Sequence, residues 1–241
     1  MMLKSDTKQT LLKTSTASIA TMLYKRGLRN QYVQNVTRLN TNAQRMVGPV
    51  FTLRYIPARE DLNPISVFRD PNHPQRLAVE EIPAGHVLVM DCRQDATAAS
   101  AGSILATRLE IRGCAGLVTD GGLRDAEEIG SLNMPSFCTK PSAPTNLTKH
   151  QALDLNVPIG CGGVAVFPGD IAVGDGDGVI IIPAEIADEI AQEAKGMEQF
   201  EAWVIEQVKS GRSIIGLYPA DDATRAEFEE HIAKQEPSSH S

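Results

Sequence analysis

The chain has 241 residues, a net charge of −7, and 42% apolar and 22% charged residues, which suits a soluble globular protein with room for one sizeable core. That acidic balance, with no dense Lys/Arg run, argues against a protein that grips nucleic acid through its phosphates. Four cysteines (Cys92, Cys114, Cys138, Cys161) with no C-x-x-C pair exclude a zinc ribbon and a dense disulfide framework, so reduced thiols are expected.

The first residues, Met-Met-Leu-Lys-Ser-Asp-Thr-Lys, place charge where a signal peptide is apolar, and no apolar run approaches the ~20 residues of a membrane span. The expectation is a cytoplasmic protein without a membrane or nucleic-acid partner. Between residues 9 and 27, Thr16 and Ser18 are candidate caps for a helix through about Lys25, ended by Gly27. Residues 28–47 are polar and assign no element. Val50 to Tyr55 alternates apolar and polar and reads as a strand, after which Pro57 to Pro74 reads as a long surface excursion with a short helix.

From Ile82 the signals sharpen. His86 to Asp91 is an apolar strand, and Ala96 to Arg112 places Ala101, Ile104, Leu105, Leu109 and Ile111 on one side of a helix that Gly113 stops. Ala115 to Asp120 is the next strand. This βαβ unit implies parallel pairing, with Asp91 and Asp120 on one carboxyl edge, where open α/β sheets bind ligands. Met134 to Cys138 reads as a further strand, and the two prolines of Lys140 to Pro144 exclude regular structure there. Val157 to Val166 and Ile171 to Ile182 are β-rich, Pro183 opens a long helix over residues 184–209, Asp221 to Lys234 adds a helix, and Pro237 to Ser241 should fray.

The candidate chemistry lies in Leu117 to Glu128, Leu-Val-Thr-Asp-Gly-Gly-Leu-Arg-Asp-Ala-Glu-Glu. By itself the stretch is consistent with a capping box, Asp125 as N-cap and Glu128 three residues on. One crossover away, Gly102, Ser103, Ile104 and Leu105 form the start of a helix, whose free N–H groups and dipole attract an anion. Arg124 beside such amides is a competent carboxylate clamp, and Asp125 would offer a hard oxygen to Mg²⁺ or Mn²⁺. These are parts for handling a 2-oxo acid. The five histidines show no zinc-type spacing, and turn chemistry explains Asp170, Asp175 and Asp177 better than calcium binding does.

Gly102 to Leu105, Asp120-Gly121, Arg124-Asp125 with Glu128, Asn156 to Pro158, Pro168 to Asp170 and Asp175 to Val179 occur in an order and spacing that resemble the RraA-like proteins. That family includes 4-hydroxy-4-methyl-2-oxoglutarate aldolases, oxaloacetate decarboxylases and regulators of ribonuclease E. The resemblance covers about Ile82 to Pro183. It implies an α/β fold of swivelling-domain type, an α/β/β/α sandwich with a βαβ core and a long C-terminal helix. A single domain over residues 1–241 is expected, with a core over about 45–183 and helical extensions over 1–44 and 184–241.

The resemblance also implies a homotrimer or dimer of trimers with sites between subunits. Amides of Gly102 to Leu105 and the Arg124 side chain would hold a pyruvyl group. Asp125 would bind the metal, with Glu198 or Glu201 of a neighbouring subunit completing its water shell. Ser103 stands where the aldolases carry an aspartate, and their later lysine has only Lys149 or Lys140 as a counterpart. The expected activity is a metal-dependent carbon–carbon lyase. Alternatives are a dehydratase of a sugar-derived 2-oxo acid and a non-enzymatic ribonuclease-regulating protein.

Overall fold

The computed structural model describes residues 3–235, so the expectation for Pro237 to Ser241 lies outside the described residues. The chain divides into two compact units, one ending at Gln192 and the other beginning at Glu193. It is a mixed α/β protein with a long C-terminal helix, the class expected from the sequence.

The first unit is built on a nine-stranded mixed sheet. Its axis is one long strand, Met46–Pro57, which changes partners along its length. Residues 46–49 pair antiparallel with Ile171–Gly174, residues 50–54 pair parallel with Val87–Asp91, and residues 53–57 pair antiparallel with His150–Leu155. Val87–Asp91 then pairs parallel with Gly116–Thr119, and that strand with Ser136–Cys138. The βαβ expectation therefore holds, with adjacent parallel strands joined through a helix.

Both faces of the parallel strands are covered, which explains why Val87 to Met90 is apolar without interruption. Leu88 and Met90 enter a core with Leu53, Tyr55, Leu109 and Leu117, while Val87 and Val89 enter another with Val118, Phe137, Val166 and Ile181. All four cysteines are free and buried.

The crossover helix is shorter than expected. It spans Ser103–Ile111, and the residues before it form a strand, Ala99–Ala101, rather than a first helical turn. The apolar stripe was also misread: Ala106 and Leu109 are buried, but Ile104 and Ile111 are 80% and 73% exposed. The helix is short because a second sheet takes the residues before Ser103, and its core-facing side runs through Leu105, Ala106 and Leu109 and not through Ile104 and Ile111. Ala99–Ala101 pairs parallel with Gly122–Leu123, which pairs parallel with Lys140–Pro141. Proline did not prevent this pairing, because a two-residue strand at the sheet edge needs no N–H from Pro141.

Three other elements differ from the sequence reading. The helix Thr16–Lys25 is capped by Ser15, whose side chain accepts from Ser18 N. Asp175 holds the same helix end, accepting from Thr16 N and Oγ1 at 2.8 Å each, which confirms a structural role for that aspartate. The helix Pro74–Glu81 and the strand His150–Leu155 were not anticipated.

In the second unit, the long helix Ala187–Lys209 continues past Glu193, and a further helix spans Asp222–Gln235. Trp203, Val204 and Leu217 are buried there, with Phe200 and Phe228 packed against them.

Candidate functional site

The strand Gly116–Thr119 runs into Asp120, which is 1% exposed. Its carboxylate accepts from the backbone N–H groups of Cys92 (2.6 Å), Gln94 (3.1 Å) and Gly162 (3.1 Å). Burial pushes its pKa up, and the Cys92 and Gly162 amides pull it back. Asp120 is thus committed to tying three chain segments together. Beyond it the chain steps into the small sheet at Gly122–Leu123 and delivers Arg124 and Asp125 to the surface.

A buried polar network fixes the opposite strand. Ser100 Oγ donates to Gly122 O at 2.9 Å and to Thr119 Oγ1 at 3.1 Å. Ser100 O accepts from Tyr55 Oη at 2.9 Å and from Gln75 Nε2 at 2.6 Å. With all groups satisfied, such a network rigidifies the strand that leads into Gly102.

Gly102 caps the crossover helix in an extended conformation. The expected capping box is absent: Asp125 precedes its own short helix, Ala126–Gly130, in a left-handed conformation (φ 56°) and makes no side-chain bond to it. The carboxylate points the other way. Its Oδ2 accepts from Ser103 N and from Ser103 Oγ, both at 3.0 Å, so Asp125 caps the crossover helix across space. Arg124 N donates to Ala101 O at 3.1 Å, and Arg124 Nε lies 3.5 Å from Asp125 Oδ2. The Ser103 amide, the Ser103 hydroxyl and then Arg124 hold the Asp125 carboxyl below the usual aspartate range, against a modest burial cost.

Gly102, Ile104, Leu105, Arg124 and Asp125 all line one cleft of about 480 Å³. The N–H groups of Ile104 and Leu105 sit in the first helical turn, where no intrahelical acceptor exists. Arg124 is half exposed. The expected clamp residues are therefore brought together in one place. Ser103 reaches this place through Asp125.

Every hydrogen bond to the Asp125 carboxylate ends on Oδ2, which leaves Oδ1 without a donor among the described residues. No group of three His, Cys, Asp or Glu able to hold a metal occurs among the described residues. One hard, ionised oxygen beside an open cleft fits Mg²⁺ or Mn²⁺, which keep most of their waters and take one or two carboxylates plus substrate oxygens. Glu198 and Glu201 lie on the long helix in the second unit, where Glu201 Oε1 accepts from Tyr218 Oη at 3.4 Å.

The sequence reading missed the far wall of the cleft, where Ile65, Phe68, Arg76 and Asn146 lie. The signal for the helix that carries Arg76 was His73-Pro74 followed by Ile82-Pro83, a proline at the first helical position and another just past the end.

One expected result concerns the Asp125 carboxyl. Ser103→Ala should raise its pKa towards the ordinary aspartate value by removing the hydroxyl donor, while the Ser103 amide remains. Carboxyl ¹³C shifts followed through a pH titration would show this. Because the folded-state pKa is depressed, the stability it contributes is present above the unfolded-state value and is lost as pH falls through the folded-state one. An unchanged titration in the variant would mean that the hydroxyl bond contributes nothing.

Fold and cleft together define a mixed α/β protein with an Arg-Asp pair set against a helix start at the carboxyl edge of parallel strands. Residues 16–181 match the RraA-like family, described as Aldolase/RraA, and the chain belongs to that family. It is 36% identical over 169 residues to a Halalkalibacterium halodurans protein with the provisional name 4-hydroxy-4-methyl-2-oxoglutarate aldolase, a match covering 70% of this chain and 73% of that one. The solved structure of Streptomyces coelicolor RraAS2, described as an unusual member of the RNase ES inhibitor RraA family, superposes with a TM-score of 0.73 at 29% identity, covering 84% and 97% of the two chains. An uncharacterized protein from Pseudomonas syringae shares the fold, with a TM-score of 0.77 at 23% identity over 90% and 99% of the chains. No helix among the described residues is long and apolar enough to cross a membrane.

Proposed function

We propose that the protein is a divalent-metal-dependent lyase acting on a 2-oxo acid, as an aldolase or a decarboxylase. The observation that carries this reading is the convergence of Arg124, Asp125 and the open first turn at Ile104 and Leu105 on one cleft. The two amides and the Arg124 guanidinium hold the substrate's carboxylate and 2-oxo oxygen. Asp125 would hold Mg²⁺ or Mn²⁺, and the ion, when bound, would supply Lewis-acid polarisation of the 2-oxo group.

The bond between C3 and C4 breaks, and its electron pair moves into the carbonyl to give the enolate of pyruvate. C4 leaves as CO₂ from a 3-carboxy substrate, or as a carbonyl compound from a 4-hydroxy substrate once its hydroxyl proton is removed. A proton from solvent at C3 completes pyruvate. Arg124 stabilises the charge that develops on the enolate oxygen, the place where fixed electrostatics lower a barrier most. A dehydratase acting on a sugar-derived 2-oxo acid would use the same carboxylate grip. The reading further places the protein in the cytoplasm as a homotrimer or dimer of trimers. In that assembly Glu198 or Glu201 of a neighbouring copy would complete the metal's water shell.

Pyruvate release from oxaloacetate and from 4-hydroxy-2-oxo acids, with and without Mg²⁺, tests the reading. The expected result is metal-dependent release well above buffer plus metal. Equality with that control for every substrate would overturn it. The description of the Streptomyces relative favours a second reading, a non-enzymatic protein that binds a ribonuclease. It predicts inhibition of a purified ribonuclease of the RNase E/ES type that survives Arg124→Ala.

A further inference from the structure

The cleft contains a second arginine that the chemistry above leaves unused. Arg76, on the helix Pro74–Glu81, lines the same cleft as Arg124 and Asp125. Its guanidinium carbon lies 4.6 Å from the centre of the Phe68 ring, and His73 meets that ring edge-on at 5.2 Å and 70°. The head group is therefore stacked on an aromatic face that is itself braced.

What distinguishes Arg76 is its lack of a counter-charge. Nearby Arg108 donates to both oxygens of Glu80, at 3.0 and 2.8 Å, and Arg112 lies 3.7 Å from the same carboxylate. Arg54 is paired with Asp154, and Arg59 with Asp61. The Arg76 guanidinium has neither an ion pair nor a hydrogen bond among the described residues, while its backbone N–H is bonded to His73 O. Gln75 beside it cannot shift to serve the cleft, because Nε2 is bonded to Ser100 O and to Tyr55 Oη. Two guanidinium groups face one carboxylate, so the charged side chains of the cleft carry a surplus positive charge before any metal binds. The carboxylate of a 2-oxo acid satisfies Arg124 and leaves Arg76 still unmatched.

We propose that Arg76 receives a second anionic group at the far end of the substrate, so that the cleft selects dianionic 2-oxo acids over monoanionic ones. The inference rests on the 2-oxo acid reading of the site and adds a specificity-determining residue to it. Stacking on Phe68 fixes the guanidinium plane and leaves its N–H edge free, the geometry that accepts a carboxylate or phosphate through two parallel bonds. Pre-ordering the long side chain also lowers the entropy lost on binding.

Calorimetric binding of 2-oxoglutarate, 3-phosphonopyruvate and pyruvate to wild type, Arg76→Met and Arg76→Lys tests the assignment. Methionine keeps an apolar stem against Phe68 and removes the charge. The expected result is a loss of about tenfold or more for 2-oxoglutarate and 3-phosphonopyruvate in Arg76→Met, little change for pyruvate, and intermediate values for Arg76→Lys. The larger loss identifies carboxylate or phosphate as the better-fitting group. Equal weakening of pyruvate, unchanged dianion affinity, or wild type binding dianions no more tightly than pyruvate would overturn it.

Turnover separates this proposal from the one on which it rests. If wild type binds dianions through Arg76 but releases no pyruvate, the lyase reading fails and the anion assignment stands. If wild type turns over and Arg76→Met lowers kcat/KM equally for oxaloacetate and for a monoanionic 4-hydroxy-2-oxo acid, the assignment alone fails.

Discussion

Arg124→Ala should lower kcat/KM for pyruvate release by about 10²–10³-fold, the scale seen when one donor to a developing oxyanion is removed. The loss should fall mainly on kcat, because the guanidinium meets more charge on the enolate oxygen than on the ground-state carbonyl. Thermal stability should barely change. The side chain is 45% exposed and its one ion-pair contact within the chain is a 3.5 Å approach to Asp125, so little of the fold depends on it. Arg124→Lys should recover only part of the rate, since an ammonium keeps the charge but cannot offer two parallel N–H bonds. A variant within a few-fold of wild type, measured by coupled pyruvate assay at saturating Mg²⁺, would remove Arg124 from the chemistry.

Gly102→Ala should be almost as damaging, for a steric reason. A Cβ at this position would lie 2.8 Å from Asp125 Oδ2, 2.9 Å from Arg124 Cγ and 2.9 Å from Arg124 Nε. The backbone there is extended, a conformation open to any residue, so the penalty is crowding and not backbone strain. Asp125 cannot swing aside cheaply because two bonds from Ser103 hold its Oδ2. Displacing the pair by a fraction of an ångström to one ångström should cost about 10²-fold in kcat/KM. The same change should also weaken the bond from Ser103 N and raise the Asp125 pKa. Wild-type kinetics in Gly102→Ala would show that the tight approach around this glycine has no part in function.

The βαβ part of the parallel frame was legible in the sequence because Val87 to Met90 and Leu117 to Val118 are apolar on both faces and each strand runs into an aspartate. Arg124 and Asp125 were legible for a related reason: they follow a strand and a Gly-Gly step, and such a step delivers polar residues to a sheet edge. Asp125 nevertheless had its hydrogen-bond partner misassigned. Spacing along the chain pointed to its own helix, whereas the folded chain brings Ser103 N, on another helix, to the carboxylate.

The expected helix start at Ala96 failed because pairing of Ala99–Ala101 with Gly122–Leu123 overrode helical periodicity, a long-range choice that no local window contains. Arg76 was invisible for a similar reason. Its helix follows a proline-rich excursion, and nothing in the local pattern says that it closes the far side of a cleft begun at Gly102.

The small sheet has a consequence for how the protein can change over time. Its strands are two or three residues long and connect to the large sheet through brief steps at Asp120-Gly121 and Thr139. Arg124, Asp125 and the helix start at Gly102 follow directly from this ledge, while Ala101 and Leu123 within it belong to the core that holds the first unit together. The ledge strands themselves are buried, but the side chains just past their ends, Ser103, Arg124 and Asp125, are not, so substitutions there carry little thermodynamic penalty and the chemistry can drift while the frame persists. Ser103, in the position where the resemblance expects an aspartate, is one such trade. It supplies a neutral donor to Asp125. A lineage built this way can acquire, exchange or shed a reaction without having to reinvent a fold.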